Sequence, residues 1–183
     1  MRWVYLLVTL AAAAAVWAVL NERLEAPAAE SVAPADALPR YALANAEWLR
    51  LDARGEPELR VRTESIDYYA DDSAQMGMLT LDALGGTESP WTLTAPRGRM
   101  PAHERRVLLE GGVLAQGRYA DEPVQFTTEA LWVDLLRREL RTDAAVVLYS
   151  EFRRASARGL RADFSGENVQ LLNDVQVEYV PGD

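Results

Sequence analysis

The sequence predicts an all-β domain built of antiparallel strands, and three observations predict it. Short runs alternate apolar and polar residues with period two. Turn signals separate them at roughly eight to twelve residue intervals. A hairpin-length stretch also recurs. In Phe126 to Leu148, Leu131, Val133 and Leu135 alternate with Trp132, Asp134 and Leu136. Arg137-Arg138-Glu139 breaks that run before Leu140-Arg141-Thr142-Asp143 leads into Val146-Val147-Leu148. A second copy follows in Gly159-Leu160-Arg161-Ala162-Asp163, Leu171-Leu172-Asn173-Asp174 and Val177. It sets Leu160 on Leu131, Asp174 on Asp143 and Val177 on Val146, with its extra length in the turn Ser165-Gly166-Glu167-Asn168. A weaker copy runs from Gly98-Arg99-Met100 to Leu109-Glu110-Gly111-Gly112-Val113. Insertions confined to turns are what a hairpin repeat predicts.

The chain begins with an apolar run. Trp3 to Leu20 carries no charge and Thr9 as its one polar residue. About eighteen helical residues span roughly 27 Å, close to the thickness of a hydrocarbon core. Arg2 precedes the run, and Glu22, Arg23 and Glu25 follow it. The positive-inside bias then predicts a cytoplasmic N-terminus, with the remainder across the membrane. The run outlasts a signal-peptide core and continues past Ala11–Ala15 through Trp17 to Leu20, so residues 1–20 are expected as an anchor rather than a cleaved signal. Residues 21–40 hold Pro27, Pro34 and Pro39 without an apolar period and are expected as an extended linker.

The β domain is expected over residues 41–183, as about fifteen short strands folded onto themselves in two sheets. Helical formers in Glu129 to Leu140 leave a helix open there, but the matching copy at Gly159 favours strand. Each strand offers one apolar face: Leu59 and Val61, Trp91 and Leu93, Val107 and Leu109, Val124 and Phe126, Leu131 and Val133, Leu160 and Ala162, and Val175 and Val177. Val146 and Leu148 extend the set. Periodicity leaves two readings of this face, an ordinary packed core or an interior that splays to admit an apolar ligand. An unclosed stack of hairpins also has a free edge at each end, and the last strand, Val175 to Tyr179, has no blocking proline before Pro181.

Composition narrows the chemistry. Net charge is −9, which argues against a nucleic-acid surface, and the use of arginine for all 19 basic residues reads as compositional bias. The chain has no cysteine, so disulfides, thiolate metal sites and a cysteine nucleophile are out of reach. The single histidine, His103, sits in a turn beside Pro101 and Glu104 without a serine or cysteine motif. Asp71-Asp72 and Asp121-Glu122 fall at turns, where carboxylates satisfy local backbone donors. Gly85-Gly86 and Gly111-Gly112 read as hairpin or bulge glycines, not a phosphate loop. No catalytic residues, metal ligands or cofactor are expected, and the chain is not expected to be an enzyme.

An apolar span, a Pro/Ala linker and a repeated hairpin with Thr142-Asp143-Ala144-Ala145-Val146 at its return resemble the LptC family. Trp91-Thr92-Leu93-Thr94-Ala95 before a glycine-led turn, Leu109-Glu110-Gly111-Gly112-Val113, Gly159-Leu160-Arg161-Ala162-Asp163 and Val175-Gln176-Val177-Glu178-Tyr179 add to the likeness. The resemblance implies a single-pass inner-membrane protein of lipopolysaccharide export whose C-terminal domain is periplasmic. It implies a twisted β-jellyroll open along one side and no catalytic activity. The span would pack with the LptF and LptG subunits that work with the LptB ATPase. The interior, with Leu59, Val61, Trp91, Leu93, Val107, Leu109, Val124, Phe126, Leu131, Val133, Val146, Leu148, Leu160 and Ala162, would hold acyl chains. The C-terminal edge, with Val175, Val177 and Tyr179, would pass them to LptA by strand addition. Gly55 and Gly159 fall where the family also has glycines, in a strand-connecting loop and at a strand start. The competing expectation is an anchored scaffold that pairs strand edges with periplasmic partners and holds no lipid. Its mark would be a filled interior.

Overall fold

The computed structural model describes residues 38–84, 91–119, 122–163 and 168–179. The expected span, Trp3 to Leu20, and the linker up to residue 37 lie outside them. Among the described residues, no helix is long and apolar enough to cross a membrane.

Among the described residues, nine strands follow one another in chain order: β1 (Tyr41–Leu51), β2 (Pro57–Tyr68), β3 (Ala74–Ala83), β4 (Trp91–Met100), β5 (Arg106–Tyr119), β6 (Glu122–Asp134), β7 (Glu139–Tyr149), β8 (Arg153–Asp163) and β9 (Val169–Tyr179). They form one antiparallel sheet in which every strand pairs with its neighbours in sequence. The all-β expectation holds, but nine long strands replace the expected fifteen short ones and one sheet replaces two. The difference lies in glycine and proline. Pro96 and Gly98 lie inside β4, where the sequence suggested a turn, and Gly111–Gly112 lie inside β5 as a bulge, one of the two readings their sequence allowed. The region Glu129 to Leu140 is the end of β6, a turn and the start of β7, with no helix.

Those interruptions have a shared purpose. The ladder skips Asn45 opposite Glu64, Glu64 opposite Met78, and Met78 opposite Pro96. It then shifts by a residue in all five remaining pairs, at Thr94/Arg97, Glu110/Val113, Thr128/Trp132, Thr142/Ala145 and Ser156/Arg158. Asn45, Met78, Gly111, Gly112, Gly159 and Asp174, all at or beside these points, have positive φ. Apart from a further shift at Arg50/Leu51 near the end of β1, the irregularities form one line across the sheet, and bulges bend the strands that carry them. The sheet folds back on itself along that line. Leu59, Leu81 and Leu93 from one side border the same small cavity as Val133, Leu140 and Ala162 from the other. Non-adjacent strands nowhere bring Cα atoms within 8 Å among the described residues, consistent with two layers separated by interdigitating side chains.

Buried threonines hold the fold line. Thr63 Oγ1 donates to Gly77 O at 2.6 Å and lies 2.9 Å from Ser65 O. Thr128 Oγ1 donates to Ala145 O at 2.9 Å, on the neighbouring strand. Thr142 Oγ1 accepts from Ala144 N at 3.1 Å inside its own bulge. A bulge interrupts ladder bonds, and each hydroxyl meets backbone groups where that happens. Gly159 is required locally. Its φ is +92°, and a Cβ there would press on Leu172 and on Thr142 O.

Candidate functional site

Two features were expected to carry function, the apolar interior and the last edge. The fold brings the interior together. Leu59, Val61, Trp91, Leu93, Val107, Leu109, Val124, Phe126, Leu131, Val133, Val146, Leu160 and Ala162 are all buried, and Leu148 packs partly buried against them. Sequence reasoning missed Met76, Leu79, Leu81, Ala83, Ala95, Val113, Ala115 and Leu140, which complete the same cluster. For β3 a signal was present, because Leu79, Leu81 and Ala83 alternate with Thr80 and Asp82.

The interior is filled rather than splayed. Between the layers remains a cavity of about 20 Å³, bordered by Leu59, Ala83, Trp91, Phe126 and Val169 among others. That is room for about one water molecule. Trp91 is the largest side chain on it. Its ring lies 6.2 Å from that of Phe126. A Cβ on Gly117 would stand 2.3 Å from the indole, so this glycine makes room for the ring on the adjacent strand. The Trp91 indole N–H has no acceptor among the described residues.

A buried charge cluster closes one end of the layered body. Glu58, at the start of β2, has a side chain only 7% exposed. Its Oε2 meets Arg50 Nε of β1 at 2.9 Å, and its Oε1 meets Arg138 Nη1 at 2.6 Å. Arg50 Nη1 also donates to Leu135 O. Leu135 and Arg138 belong to the β6–β7 turn, which Asp134 caps by accepting from the N–H groups of Leu136 and Arg137. Arg138 has φ +60° there. Arginines in a turn ordinarily face water, but Arg138 reaches a buried carboxylate. Beside it, the β1–β2 turn carries Gly55 at φ +85°, as its loop position suggested. The Glu56 and Arg54 N–H groups donate to the Asp52 carboxylate and hold its pKa below the usual value.

The edges are open. Val175, Val177 and Tyr179 of β9 are exposed, as are Leu43, Leu49 and Leu51 of β1. Val175 and Val177 therefore differ from the other apolar pairs, since nothing among the described residues covers them. At the other end of β1, Tyr41 stacks on Tyr68 with ring centroids 4.9 Å apart. Burial, then Asp72, raises the Tyr68 pKa. His103 lies in the β4–β5 turn with φ +60°, its Nδ1 3.7 Å from Asp72 Oδ2. No group of three metal-ligating residues occurs among the described residues.

Residues 7–180 match the family described as lipopolysaccharide-assembly, LptC-related. The chain belongs to the LptC family. That match runs through nearly all of the sequence and agrees with the resemblance carried by the hairpin motifs. No curated protein matches the chain. A solved structure with some similarity is that of LptH from Pseudomonas aeruginosa, the LptA homologous periplasmic component of the conserved lipopolysaccharide transport device. It is 11% identical, with a TM-score of 0.43, over 82% of this chain and 100% of that one. Membership in the LptC family connects the chain with lipopolysaccharide transport.

Proposed function

We propose that this chain is a single-pass inner-membrane protein whose periplasmic β domain accepts lipopolysaccharide acyl chains between its two layers and passes them to a protein of the LptA kind. LptF and LptG with the LptB ATPase would supply the lipid. The observation that carries this reading is the interior itself, a continuous apolar face contributed by β2 through β8 in a member of the LptC family. Apolar side chains facing each other across two layers form a surface that acyl chains can replace at little cost in solvation, since burial of apolar area is non-directional. The unpaired Trp91 N–H also supports it. A buried donor without an acceptor costs about 1–3 kcal/mol, which a carbonyl on a bound lipid would relieve.

The scaffold reading has an observation of its own, the filled interior. Acyl chains can enter only if the layers part. Photo-crosslinking from single positions in the membrane-embedded chain, with its transporter turning over, distinguishes the two. Lipopolysaccharide is expected to label Leu93, Phe126 and Val133, which point inward, and not Arg60 or Arg62 on the opposite face. Equal labelling of both sets, or none from inside, leaves the scaffold.

A further inference from the structure

We propose that Glu58, Arg50 and Arg138 form a clasp that holds the two layers shut, and that its release is the step by which the interior opens. The inference rests on the lipid-binding reading for what enters, but the clasp itself stands on geometry. β1 and β2 are not neighbours of β6 and β7 in the sheet. Glu58 bonds one arginine from each group, and Arg50 extends the link to the carbonyl of Leu135. The contact therefore joins one layer to the other without a shared ladder.

Its place in the fold gives it leverage. The line of bulges is where the layers are continuous, while Glu58 lies five residues before Thr63, at the strand end away from that line. Next to it lies the small apolar cavity between the layers, which Leu59 borders. A sheet bent along one line and fastened away from it is a hinge with a latch.

The chemistry of the fastening suits a latch. Each oxygen of this buried carboxylate meets its own arginine, so losing Arg138 leaves Oε1 without its charged partner while Arg50 still holds Oε2. The arginines remain half in water, so opening returns them to solvent while Glu58 gains access to it. Positive φ at Arg138 points the same way. A non-glycine residue is uncommon there, and this one carries the guanidinium that reaches Glu58.

The absence of cysteine makes the test clean. Nitroxide labels go on Arg54→Cys and Leu136→Cys, two exposed turn positions on opposite sides of the clasp, in the full chain embedded in phosphatidylcholine vesicles. Pulsed electron resonance should give one short, narrow distance. Glu58→Gln and Arg138→Gln should each lengthen and broaden it, while Arg60→Gln, which affects only a pair with Glu47 on the adjacent strand, should not. If Glu58→Gln does not fold, Arg138→Gln in its half-exposed turn decides alone. An unchanged distance in the folded variants overturns the clasp. Vesicles doped with lipopolysaccharide should lengthen the distance in the otherwise native chain, and the variants should give several-fold more crosslinking from Phe126. Longer distances in the variants with no response to lipopolysaccharide keep the clasp and overturn the lipid reading. Unaltered variants with crosslinks from the interior do the reverse.

Discussion

Thr128 shows how much one residue can carry here. It sits on β6, where an alternating strand asks for another aliphatic side chain, yet its hydroxyl donates across the fold line to Ala145 O. Thr128→Val keeps the shape and removes the donor. We expect a loss of about 0.5–1.5 kcal/mol, the net worth of one hydrogen bond, since Ala145 is exposed and its carbonyl can turn to water. Thermal unfolding followed by circular dichroism should then show a midpoint lower by about 2–4 °C for each kcal/mol lost. An unchanged midpoint would mean that the hydroxyl does not hold the bend. Sequence reading marked Thr142-Asp143-Ala144-Ala145-Val146 as a motif, and this is where β7 bulges. It gave no such weight to Glu58, which looks like any outward carboxylate beside Leu59 and Arg60. Its partners are Arg50 and, far along the chain, Arg138. No local pattern encodes that pairing.

At the scale of elements, alternation identified the strands and misjudged their lengths. Glycine and proline are ordinarily turn signals, and the inferred chain breaks near Gly98 and Gly111 followed that rule. Inside a long strand the same residues permit a bulge or a close approach instead. The repeat was legible because its bulges recur at Asp143 and Asp174, which are matched positions in the two copies. The free edge of β9 was legible too, and it can be tested. Successive residues of a strand direct their N–H groups to opposite sides, so of Gln176 and Val177 one faces β8 and the other faces outward. Proline at the outward position should abolish capture of an LptA-type partner and leave the unfolding midpoint close to that of the parent chain. Proline at the inward position should lower the midpoint. Capture that survives the outward proline would move the docking surface away from this edge.

At the scale of the whole molecule, residues 1–20 carry the prediction of where it works. Trp3 to Leu20 is expected as an anchor, so the full chain should sediment with membranes and resist alkaline extraction. A soluble mature form beginning near residue 20 would overturn that. Within the β domain, the sequence by itself determined the fold class, the inward side of β2 and of β4 through β8, the repeat and the exposed last edge. All of these depend on local period and turn chemistry, which neighbouring residues encode. Only the tertiary structure decided that one sheet is bent along a line of bulges, that its interior is filled, and that Arg138 meets Glu58. Those features bring together residues remote in the chain, and their cause is the geometry of layers packing on each other. The physical reason is that alternation specifies which face is apolar, while the fold line and the clasp specify how far apart two such faces stand.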